Sequence, residues 1–157
     1  MAQRYIEVKG INELINRLDS AGDHLFGEQL MGVIGEYIMF NIKKRTAKGE
    51  SVTGKLFKPY SKRYALFRKE EGHTTDKVNL FFSGAMMGSM TFDQTPNEVK
   101  VYFMNTTDKS GVPNPAKAFY LNKDRKFFAI STKERRAIIK MVTDHIRDQL
   151  AEGNDGS

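Results

Sequence analysis

Asp93 and the triplet Glu98-Val99-Lys100 are the side chains best suited to catalysis in this sequence. An Asp and a Glu-x-Lys on adjacent strands can hold Mg2+ and set a lysine beside the attacking water or the leaving phosphate, as a Mg-dependent nuclease requires. Here only the turn around Thr95-Pro96-Asn97 separates the two acids, and alternation opposite Val99 and Val101 explains the same residues as a solvated strand face. A second chemistry is nucleic-acid binding. Lys43, Lys44, Arg45, Lys48, Lys55, Lys58, Lys62 and Arg63 lie near Phe57, Tyr60 and Tyr64, so cations could meet phosphates while rings stack on bases. The plainer account is that cations at a helix C-terminus suit its dipole and that Leu56, Phe57 and Tyr60 around Pro59 plug a core.

Other chemistries fail on residue type or spacing. Thr53-Gly54-Lys55 lacks both the first glycine of a phosphate loop and the Ser or Thr after its lysine. His24, His73 and His145 stand at no metal-ligand spacing, and the sequence holds no Gly-x-Ser-x-Gly elbow. Cysteine is absent, which removes thiol nucleophiles, Cys-bound zinc and iron–sulfur clusters together. The expectation is a non-enzymatic protein with no catalytic residue, metal or cofactor.

The elements that would position these groups follow from the size and pattern of the chain. Its 157 residues suit one domain, taken as 1–152 with a flexible tail over 153–157. Hydrophobic residues at 39% and charged residues at 28% are globular values. No apolar run approaches the roughly 18 residues of a bilayer span, and the start has no secretion signal, so the expectation is a protein made in a cytoplasm without a membrane partner. The net charge of +6 is unevenly spread. Residues 43–77 carry eleven basic and four acidic side chains and residues 117–147 nine and three, whereas the segments around them are neutral or acidic.

Tyr5 to Val8 reads as an edge strand closed by Gly10. Ile11, Leu14, Ile15 and Leu18 predict a short amphipathic helix ending in Asp19-Ser20-Ala21-Gly22. Leu30, Ile34, Ile38 and Ile42, widened by Met31 and Tyr37, predict a longer one that runs into Lys43-Lys44-Arg45 before Gly49. Ser61 is placed to cap a helix through Phe67, and Ser83-Gly84 to open a helical turn holding Met86, Met87 and Met90. Thr91–Asp93 and Glu98–Phe103 read as a hairpin, the second strand alternating Val99, Val101 and Phe103 with Lys100, Tyr102 and Met104. Residues 106–117 read as a long exposed loop, with Thr106, Thr107, Asp108, Lys109, Ser110 and Lys117 as its contact residues. Ala118 to Leu121 and Phe127 to Ile130 read as strands. Ser131 to Glu134 matches a capping box, opening a last helix with Ile138, Val142, Ile146 and Leu150 on its apolar face. The order predicts an α+β domain, a small antiparallel or mixed sheet packed against a long helix and a C-terminal helix.

Four local motifs occur in order. They are Gly54-x-x-Phe57-x-Pro59-Tyr60-Ser61, Leu80-Phe81-Phe82-Ser83-Gly84-x-Met86-x-x-Ser89, the hairpin, and Arg125-Lys126-Phe127-Phe128-Ala129-Ile130-Ser131 before the last helix. In that order they resemble the phage virion-morphogenesis and tail-completion proteins over residues 26–150. Tyr60 and Met86 stand where that family usually has Leu, and the segment from Ala118 to Asn122, similar to a family strand, lacks its histidine and the glycine that follows it. The resemblance implies a non-catalytic α+β subunit of the virion, assembled in the host cytoplasm into a homo-oligomeric ring at the head-tail junction. Its partners would be portal or connector and tail-tube proteins, with double-stranded DNA passing through. It implies structural roles for Gly54, Phe57, Pro59, Ser61, Ser83, Gly84, Arg125, Phe127 and Ser131. Lys43, Lys44, Arg45, Lys48, Lys55 and Lys58 would face a neighbour or the DNA.

Overall fold

The computed structural model describes residues 6–7 and 27–154. The expected helix over Ile11 to Leu18 and residues 155–157 of the expected tail lie outside the described residues. Helix α1 spans Glu28–Ala47. It buries Leu30, Met31, Ile34, Ile38 and Ile42 on one stripe, the spacing its sequence dictates. Glu28 in its first turn and Lys44 and Arg45 in its last suit the helix dipole. Gly49 ends it at φ +80°, donating its amide to Thr46 O at 2.9 Å.

The apolar stripe of α1 lies on a three-stranded antiparallel sheet. Strands β2 (Met90–Thr95) and β3 (Glu98–Phe103) form a hairpin about Pro96-Asn97, in a register that sets Phe92 opposite Val101 and Asp93 opposite Lys100. Val99, Val101 and Phe103 are buried and their alternates are not, as period two requires. Strand β1 (Ile6–Glu7) pairs with the far side of β3 and makes the sheet order β1-β3-β2, the edge position expected of Tyr5 to Val8. Met90, expected in a helical turn, is the first residue of β2, because its backbone pairs with Phe103.

Helix α2 (Lys62–Glu70) starts where expected, Ser61 Oγ accepting from the Tyr64 amide at 3.3 Å, and runs three residues past Phe67. Helix α3 (Ala85–Gly88) is one turn, entered through Gly84 at φ +77°. The expected strand over Ala118 to Leu121 is helical instead. Helix α4 covers Asn114–Arg125, so the 106–117 loop ends at Pro113. Pro115 in the first turn needs no amide partner and fixes a helical φ, and this outweighs the strand propensity of Phe119 and Tyr120.

Phe127 to Ile130 is not a strand either. The carbonyls of Phe127 and Ala129 accept from Arg45 at 3.1 and 2.8 Å, and the Phe128 amide donates to Asn122 Oδ1 at 2.9 Å. Side chains thus satisfy backbone groups that a neighbouring strand would otherwise take. Helix α5 (Thr132–Asn154) opens on the expected capping box, with reciprocal bonds between Ser131 and Glu134 at 2.8 and 3.1 Å, and packs on α1 through Ile138 and Val142. Its last two residues lie within the segment expected as tail, and Leu150 faces solvent rather than the core. The fold is a small α+β domain.

Candidate functional site

The expected basic block divides on folding. Lys44, Lys48, Lys55 and Lys58 are exposed and Lys43 is half-buried, while Arg45 is buried and cannot face a partner. Arg45 forms a buried ion pair with Glu134, and its guanidinium also serves the two carbonyls of the Phe127 segment. One side chain therefore joins the end of α1, the irregular segment and the capping box of α5. Burial next to Glu134 also raises the Tyr37 phenol above its ordinary range, desolvation being the larger cause.

The hairpin acids are engaged locally. Asp93 accepts from the Tyr102 hydroxyl at 3.1 Å, and Glu98 lies 3.4 Å from Lys100. That bond from Tyr102 to Asp93 holds the phenol above its usual value. Among the described residues no group of three His, Asp or Glu side chains is placed to hold a metal ion. No helix among them is long and apolar enough to cross a membrane.

Parts of the 106–117 loop are fixed rather than free. Asp108 accepts from Lys117 Nζ at 2.6 Å and from the Ser110 hydroxyl and amide at 2.5 and 2.9 Å, while Thr107 bridges to Pro113. The bond from Lys117, followed by those from Ser110, holds the Asp108 carboxyl well below the usual carboxylate range. Thr106, Thr107, Lys109 and Ser110 remain exposed.

A groove of about 1050 Å3 lies between the loop at residues 58–62, helix α2, the 80–86 segment, the anchored loop and helix α4. Three of the quoted motifs supply its walls, through Pro59, Tyr60 and Ser61, through Ser83, Gly84 and Met86, and through Arg125. Phe127 and Phe57 instead lie in the core. Gly54 adopts φ +79° at the tip of the turn that brings Ser51 N to Lys55 O, a conformation suited to glycine.

The groove is aromatic and its floor is cationic. Tyr60 meets Tyr64 edge-on at 5.2 Å between centroids, and Phe67 stacks on Phe82 at 5.6 Å. Arg68, only 2% exposed, donates to the carbonyls of Phe81 at 2.9 Å and Thr74 at 3.4 Å and makes no ion pair among the described residues. Its guanidinium lies 4.7 Å from the Tyr60 centroid, and that of Arg125 lies 5.7 Å from the same centroid. The Tyr60 hydroxyl and Arg125 Nε are buried without hydrogen-bond partners among the described residues. A buried cation with no acidic partner among the described residues, under apolar walls, suits an apolar group accompanied by negative charge.

Sequence reasoning placed Tyr60 and Tyr64 in a basic block but missed Arg68, Phe67, Phe82 and Tyr120. Spacing on α2 carried part of the signal, since Tyr64, Phe67 and Arg68 fall on one face with Tyr60 just before it. Phe82 stands in the Leu80 to Ser89 motif with no site role assigned to it, and Tyr120 comes from a distant segment that gave no signal. No protein-family model, curated protein or solved structure matches the chain.

Proposed function

We propose that the chain is a structural subunit of a tailed-phage virion, acting without catalysis at the head-tail junction as part of a homo-oligomeric ring. The observation that supports this reading most is the groove. Motif segments far apart in sequence meet there to build a surface of partly exposed rings over the buried Arg68, and such a surface is suited to being covered by a protein. The exposed Lys44, Lys48, Lys55 and Lys58 then meet an acidic neighbouring protein or the passing DNA.

The test is electron microscopy of lysates from a phage carrying a nonsense mutation in the gene. Filled heads apart from tails, or tails of aberrant length, are expected. Normally joined particles would overturn the reading. A nucleic-acid-binding module is the competing reading, and the exposed cations beside Tyr64 favour it. It requires affinity for nucleic acid that falls steeply with salt in the isolated protein.

A further inference from the structure

We propose that the aromatic groove is the socket of a head-to-tail contact between copies of this chain, and that it receives the ridge Val33, Glu36 and Phe40 from α1 of the next copy. The inference rests on the ring reading above and names the surfaces that would close it.

Phe40 is 61% exposed and Val33 50%, large apolar side chains on the helix face turned away from the sheet. Glu36 lies between them, three residues from one and four from the other, so the three form one patch. Glu36 makes no ion pair among the described residues. No residue of α1 lines the groove, so ridge and socket are different patches of one copy, the condition for a heterologous contact that can close into a ring.

Charge chooses the ridge over other exposed apolar side chains. The socket carries Lys58, Lys62, Arg68 and Arg125 against Asp124, since Asp108 is taken by Lys117. Leu56 and Ile139 are also exposed, but Lys55 and Arg135 adjoin them and would be repelled there. The ridge instead brings Glu36 to the cations. One turn beyond Phe40, Lys44, whose Nζ lies 5.5 Å from the Phe40 centroid, is available to Asp124 of the socket. A DNA duplex fits less well, because its phosphates would have to replace water along walls whose surface is mainly apolar.

The experiment mixes two variants of the full chain in sedimentation velocity. Phe40→Glu destroys the ridge and Tyr120→Glu the socket, and both positions are exposed, Tyr120 at 64%, so circular dichroism should match the wild type. Wild-type protein is expected to oligomerise with rising concentration, and each variant alone to stay monomeric. Their equimolar mixture should form a one-to-one heterodimer and nothing larger, because one intact ridge then meets one intact socket. Glu36→Lys should weaken wild-type association about fivefold to tenfold. A wild-type protein that stays monomeric, a variant that keeps the wild-type oligomer, or a mixture that stays monomeric would overturn the socket. If both variants still form the wild-type oligomer, the ring has other contacts and the junction reading survives. If mutant lysates contain normally joined particles, the junction reading fails whatever the mixture does.

Discussion

Arg45 carries its charge inside the fold, and the consequences can be measured at a single residue. Removing one partner of a buried pair leaves the other charge unsatisfied, so Arg45→Met should cost about 3–5 kcal/mol in urea unfolding. Glu134→Gln keeps the side-chain oxygen that completes the capping box, so adding it to Arg45→Met should recover part of that loss, whereas simple additivity would deepen it. Asp108 makes a pH-dependent prediction. Its folded value is depressed, so its contribution is complete above the unfolded value of about 3.9 and is lost as pH falls from there toward the folded value. The gap in melting temperature between wild type and Asp108→Asn should stay level from neutral pH down to about 4 and narrow below it. A gap unchanged in strong acid would show that the carboxylate does not anchor the loop.

Helix α1 and strand β2 approach closely because Gly35 has no side chain. A Cβ there would lie 2.4 Å from Phe92 Cδ2 and 2.7 Å from its Cγ, too deep in the ring for a rotamer change to relieve. Gly35→Ala should therefore destabilise by about 1–3 kcal/mol, despite alanine's better helix propensity, as read from the urea midpoint. At the C-terminal end of α4, Lys126 adopts the left-handed region with φ +40°. Lys126→Gly should raise stability by about 1 kcal/mol in the same assay, because the left-handed conformation is strained for lysine and open to glycine. The same helix shows where local reading fails. Ala118 to Leu121 has strand-forming rings, and yet the proline-led start and the buried contacts of Ala116 and Ala118 make it helical.

At the scale of the whole molecule, folding sorts the cations into three groups with different work. Arg45 ties elements together, Arg68 and Arg125 lie under the groove, and Lys44, Lys48 and Lys55 stay in solvent. The triple substitution Lys44→Glu, Lys48→Glu and Lys55→Glu should shift unfolding free energy by less than about 1 kcal/mol, since surface charges contribute little. On the junction role proposed above, the same protein should fail to restore joined particles when supplied to the nonsense-mutant phage, and full restoration would remove these lysines from any contact. Period and cap chemistry in the sequence were enough to determine the α+β class, both long helices, the hairpin register face and the Ser131 to Glu134 box, because each depends on neighbours within a few residues. Tertiary structure alone decided that Arg45 is buried and that Phe127 to Ile130 is held by a side chain rather than a strand. It also decided that Tyr60, Phe82 and Tyr120 share one groove. The reason is distance along the chain. A guanidinium's partner 89 residues away, or a ring from another helix, leaves no trace in local spacing.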